Sequence, residues 1–121
     1  MGSTPSAGKF FTVNFHKAPA EVYVPDGAPA DQALARVTHL GIGAHQDDLE
    51  FMAFHGIAEC FGRTDRWFGG VTCTDGAGSA RSGKYAGIAD AEMAELRQSE
   101  QRRAAEVGRY GVMIQLGYTS A

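Results

Sequence analysis

The feature that most constrains the fold of this chain is a regular alternation of apolar strands and amphipathic helices after residue 36. The run Val37 to Ala44 is almost continuously apolar and predicts a strand that is buried on both faces, as in a parallel sheet. A helix, a strand, a second helix and a third strand are predicted to follow over residues 48–61, 67–74, 91–107 and 112–116. This order indicates an α/β fold in which a parallel sheet is flanked by helices, and it corresponds to one half of a doubly wound domain.

The first 36 residues are predicted to precede that domain. Residues 1–9 are small and polar, which is typical of a disordered lead. Two short runs rich in aromatic and β-branched residues, Phe10 to Phe15 and Glu21 to Val24, predict an N-terminal β-hairpin. A loop with Asp31 as the cap of a brief helical turn would complete this part of the chain. We therefore divide the sequence into a lead (1–9), a hairpin and loop (10–36) and the incomplete α/β unit (37–121).

Composition excludes several classes of partner. The chain has a net charge of −3 and 44% hydrophobic residues, and its basic residues are scattered. Without a basic stripe we expect no nucleic-acid partner, and without a long apolar run we expect no membrane span. No secretory signal is recognisable, so the expected location is the cytoplasm, where two cysteines would remain reduced.

The residues with the clearest chemical meaning are His45, Asp47 and Asp48, directly after the first strand of the α/β unit. An imidazole and two carboxylates would repel or remain unpaired at that edge of the sheet unless a cation binds them. A histidine nitrogen and a carboxylate oxygen suit zinc, and residues three apart can converge on one ion. Asp47 would then act as a general base on metal-bound water. A helix cap beside a surface histidine explains the same residues without a metal, and the residues alone leave both interpretations open.

Four segments resemble a known family in the same order and at similar spacing. The stretch from Gly41 to Glu50 resembles a strand followed by an H-P-D-D signature. The other three segments are Val71 to Gly76, Arg97 to Glu100 and Val112 to Gly117. Over residues 37–118 the chain thus resembles the N-terminal half of the zinc-dependent de-N-acetylases of the PIG-L/LmbE-like family.

The resemblance implies a fold, an activity and a role for each matching residue. It implies a Rossmann-like fold and hydrolysis of the N-acetyl amide of an N-acetylglucosamine-type conjugate. His45 and Asp48 would ligate zinc, and Asp47 would be the general base. Arg97 would approach the substrate or help to order the pocket, and Glu100 would be structural.

Three departures from the family pattern affect these expectations. Gln46 replaces a proline, and Leu49 stands where an acidic residue commonly follows the two aspartates. The third zinc ligand of the family lies in an H-x-x-H stretch that this sequence does not contain. His55 cannot replace it, because the seven helical residues between Asp48 and His55 span roughly 10 Å. His39, within the strand six residues before His45, is also too distant.

We therefore expect the third ligand to lie on polypeptide absent from this sequence, and we expect the chain to form a homo-oligomer or to associate with a missing C-terminal half. The first strand would then form an apolar edge of an unfinished sheet, which favours association. The alternative is a noncatalytic binding or assembly module that keeps the fold but has no activity.

Overall fold

The computed structural model describes residues 20–81 and 83–119, which form a four-stranded sheet with helices packed against it. The strands are β1 (Glu21–Tyr23), β2 (His39–Gly43), β3 (Phe68–Thr74) and β4 (Val112–Tyr118). The helices are α1 (Ala30–Ala35), α2 (Asp48–Met52), α3 (Phe54–Cys60) and α4 (Asp90–Val107), and a single 3₁₀ turn covers Gly83–Tyr85.

The sheet is mixed, with the strand order β1-β4-β3-β2. β2, β3 and β4 are parallel, as predicted, but β1 pairs antiparallel with β4, where Glu21 lies opposite Gln115. The run expected to precede the sheet as part of a hairpin is therefore a strand of the sheet itself, and the sheet is mixed rather than purely parallel. A strand of three residues carries no sequence signal for its neighbour or its direction, because both depend on contacts made more than 80 residues later. The other predicted strand of the hairpin, 10–15, lies outside the described residues.

One hydrophobic core lies between the sheet and helices α2, α3 and α4. Leu49 from α2, Ile57 from α3 and Ala105 from α4 belong to the same buried cluster as Phe68 and Met113 of the sheet. The three helices therefore cover the same face. This follows from the topology, because right-handed crossovers that always step in one direction place their helices on one side.

The opposite face of β2 is open among the described residues. Leu40 is 60% exposed and Ile42 is 57% exposed, whereas Gly41 and Gly43, which alternate with them, are buried against α2. The expectation that this strand is buried on both faces is thus wrong for the part of the chain described. An apolar sequence shows that a strand can be buried on both faces. Whether it is buried depends on which segments pack against each face.

The predicted helix over 48–61 is divided in two. Ala53 has φ −115° and ψ 17° and separates α2 from α3. The second long helix, α4, ends at Val107, where the sequence predicts its end, and is followed by Gly108. Gly62, two residues after the last residue of α3, has a φ of +72°, a conformation common for glycine after a helix end.

Asp31, which was expected to cap a helical turn, lies inside the first turn of α1 instead, and Asp90 likewise lies inside the first turn of α4. Pro29 precedes α1, so Asp31 is its second residue, and Ala89 precedes α4, so Asp90 is its first residue. Carboxylates in a first turn still interact favourably with the helix dipole.

Among the described residues, no helix combines the length and apolar character needed to cross a membrane.

Candidate metal centre

His45 and Asp48 face each other where the chain leaves β2 and enters α2. The Nδ1 atom of His45 lies 3.7 Å from Oδ2 of Asp48, and the backbone N–H of His45 donates a hydrogen bond of 2.9 Å to the same oxygen. Both side chains are accessible, at 56% and 39% exposure. The loop thus presents an imidazole nitrogen and a carboxylate oxygen together at the carboxyl end of a parallel strand, the edge at which such sheets bind ligands.

The separation of these two atoms suits a shared cation. Zinc bonds of about 2.0–2.2 Å at a tetrahedral angle place two donor atoms roughly 3.4 Å apart. The observed 3.7 Å requires only a small rotation of either side chain to reach that value. The donor types and their spacing fit two of the positions around a zinc ion.

The described residues provide only these two donors. No group of three or more His, Cys, Asp or Glu side chains within 20–81 and 83–119 could hold a metal ion. Catalytic zinc is usually held by three protein ligands. His39 contacts Thr38 at the start of β2, with 2.9 Å between Nδ1 and Oγ1, and His55 lies exposed on α3, so neither joins the pair.

The carboxylate of Asp47, which lies between the two candidate ligands in sequence, pairs with Arg97 of α4. Its Oδ2 atom accepts a hydrogen bond of 3.1 Å from Arg97, which also donates to the carbonyl of Gln46 at 3.2 Å and to Glu100 at 2.7 Å. The guanidinium of Arg97 therefore links the loop to α4. Of the two roles expected for Arg97, these contacts serve the ordering of the site, and they leave Asp47 52% exposed on its outer side.

Gln46 anchors the loop to the sheet through its buried side chain. It is 3% exposed, and its Nε2 donates to the carbonyl of Thr74 at 3.0 Å and to Oε1 of Gln115 at 3.3 Å. A β-carbon on Gly76, which has a φ of +74°, would lie 2.5 Å from Oε1 of Gln46. Gln46 thus fixes the loop by hydrogen bonds to the last residue of β3 and to Gln115 of β4.

Gln101 is a buried contact of the loop that the sequence analysis did not identify. It is 0% exposed, and its Oε1 accepts the backbone N–H of Asp47 at 3.0 Å. Its Nε2 lies 3.4 Å from Glu50, which also accepts a hydrogen bond from the hydroxyl of Tyr110. Burial first, and the hydrogen bond to Glu50 second, raise the pKa of Tyr110. The sequence does contain a signal for the burial of Gln101. Positions 93, 97, 101 and 105 are spaced four apart and therefore share one face of α4.

A cleft of about 470 Å³ borders the loop between α4 and the ends of β3 and β4. Its polar lining includes Gln46, Asp75, Gln98 and Arg102. Asp75 accepts the N–H of Ala77 at 2.9 Å, as turn residues commonly do, and also lines the cleft.

Comparison of the chain with protein-family models, with curated proteins and with solved structures found no match.

Proposed function

We propose that this chain is the N-terminal half of a Rossmann-like, zinc-dependent de-N-acetylase of the PIG-L/LmbE-like kind. The reaction is hydrolysis of the N-acetyl amide of an N-acetylglucosamine-type conjugate. The observation that supports it best is the approach of His45 Nδ1 to Asp48 Oδ2, 3.7 Å apart at the end of a parallel strand. The four-segment resemblance over residues 37–118 supplies the reaction class.

Each residue of the loop has a role in this proposal. His45 and Asp48 would hold zinc together with a third ligand from outside the described residues. A bound zinc ion polarises an acyl oxygen and lowers the pKa of water to about 7. Hydrolysis adds one water, breaks the C–N bond and releases acetate and a free amine. Asp47 takes the proton from the water and delivers it to the departing nitrogen, while Arg97 holds the Asp47 carboxylate in place.

One observation favours a second candidate, a noncatalytic binding or assembly module. The described residues bring together two metal donors, and both are exposed. Both groups are partly exposed to water, which can solvate them, so their proximity does not require a metal. The two candidates differ in whether zinc binds and whether an amide is cleaved.

Zinc binding by the purified chain tests the metal site. We expect isothermal titration to detect zinc binding that is lost in His45→Ala and retained in His55→Ala, the matched histidine control on α3. Equal zinc binding by wild type and His45→Ala would reject the proposed ligands.

Release of free amine from N-acetylglucosamine conjugates tests the reaction. We expect the 121-residue chain alone to show little or no turnover and to become active when the third ligand is supplied on a C-terminal half. Zinc binding without turnover in the completed protein would support the noncatalytic module.

A further inference from the structure

The backbone at Asp47 adopts a conformation that its own side chain disfavours. Its φ is +75° and its ψ is −18°, so it lies in the left-handed region although it is not glycine. Such residues persist only where the surrounding structure holds them. Asp47 lies between His45 and Asp48, and its backbone turn therefore determines whether those two side chains meet.

Gln101 supplies a contact able to hold that turn. Its side chain comes from the middle of α4, is completely buried and accepts the Asp47 N–H at 3.0 Å. The other end of the same amide lies 3.4 Å from the carboxylate of Glu50. The backbone N–H of Asp47 can only donate, and the carboxylate of Glu50 accepts. The amide oxygen of Gln101 must therefore face Asp47, and its amide nitrogen must face Glu50.

The contact between Gln101 and Glu50 is connected to the hydrophobic core through Tyr110. Glu50 also accepts the hydroxyl hydrogen bond of Tyr110, a residue 2% exposed, whose ring packs edge-on against Phe68 with 4.8 Å between centroids. The chain of contacts thus runs from the packed centre of the domain through Gln101 to the loop. Motion of the Asp47 peptide requires its hydrogen bond to the buried side chain of Gln101 to break.

We propose that Gln101 is a positioning residue: its buried amide holds Asp47 in the left-handed conformation that directs His45 and Asp48 toward a common ion. The part of this inference that concerns metal affinity rests on the proposed function. Gln101 touches neither the ion nor the substrate and acts only through the backbone of the loop.

Gln101→Met tests the inference because it preserves length and burial but removes the acceptor. We expect zinc to bind about 10- to 100-fold more weakly, as is typical when a group that orients metal ligands is lost. Asp47→Gly should recover part of that loss in the double variant, because glycine adopts a positive φ without steric cost. The double-mutant cycle isolates this coupling. Additive effects of Gln101→Met and Asp47→Gly would overturn the proposal.

A metal-free measurement separates this inference from the proposed function. Hydrogen exchange followed by NMR should show a slowly exchanging Asp47 amide in the wild type and a faster one in Gln101→Met. Ile57→Val, a buried substitution in α3, is the control for general destabilisation and should leave both that amide and the zinc affinity unchanged. Equal Asp47 exchange in wild type and Gln101→Met would overturn the positioning role. Failure of the wild type to bind zinc would instead count against the proposed function alone.

Discussion

Gly43 and Asp48 approach so closely that a β-carbon built on Gly43 would lie 2.9 Å from the β-carbon of Asp48. Real β-carbons essentially never come within 3.0 Å of another heavy atom outside their own segment. The glycine at the end of β2 therefore allows α2 to begin directly beside the strand. This close approach places Asp48 within reach of His45.

Gly43→Ala should weaken zinc binding in addition to lowering the stability of the fold. The added methyl group must displace Asp48, and overpacking of this kind costs about 1–3 kcal/mol. Gly41→Ala is the matched control, because its β-carbon would meet Phe68 at 2.9 Å and Leu49 at 3.2 Å but not Asp48. We expect urea denaturation to show lower stability for both variants, and titration to show weaker zinc binding only for Gly43→Ala. A similar loss of zinc affinity in both variants would contradict the role given to Gly43.

Gln46→Pro should destabilise the protein, although proline is the residue that the family resemblance would favour. The substitution removes the hydrogen bonds to Thr74 and Gln115 and leaves buried acceptors without a donor. We expect a loss of about 1–3 kcal/mol in the free energy of unfolding. Gln32→Ala, which removes an exposed glutamine of α1, should change it by no more than about 0.5 kcal/mol. A gain in thermal stability for Gln46→Pro would show that the loop does not depend on these bonds.

Stability should decrease as the pH rises above 10, and Tyr110 should contribute to this decrease. Burial raises the pKa of Tyr110 above its ordinary value of 10.0, so the unfolded chain releases this proton at a lower pH than the folded protein. The folded state then binds more protons, and rising pH favours unfolding. Tyr110→Phe should flatten the dependence of stability on pH above about pH 10. It should also lower stability near neutrality by roughly 1–3 kcal/mol, because the hydrogen bond to Glu50 is lost. Tyr118→Phe, at a residue 52% exposed, is the control, and an equally steep dependence in Tyr110→Phe would contradict this assignment.

The open face of β2 should promote association. Leu40 and Ile42 are more than half exposed on a strand at the edge of the described sheet, and apolar edges of this kind pair with other chains. We expect sedimentation velocity to show self-association that the double substitution Leu40→Lys and Ile42→Lys reduces. Val107→Lys, at an exposed apolar residue at the end of α4, should not reduce it. A wild-type chain that sediments only as a monomer would refute this prediction.

The sequence was informative where the signal is local. The strand, helix, strand, helix, strand order after residue 36 is confirmed. The spacing of apolar residues within each segment indicates whether a helix or a strand would bury them on one face. The spacing of His45 and Asp48 likewise predicts that they can meet, since three residues across a strand-to-helix turn leave few alternatives. The break at Ala53 was not foreseen, because the apolar pattern continues through it.

The sequence by itself thus determined the element order, the parallel pairing of β2, β3 and β4, and the chemical identity of the candidate ligands. Tertiary structure alone decided that β1 joins antiparallel at β4, that three helices share one face, and that Gln101 reaches the loop from 54 residues away. The physical reason is the range of the interactions. Hydrophobic period and turn chemistry act within a few residues, whereas strand order, layer assignment and a buried hydrogen bond depend on which distant segments the folded chain brings together.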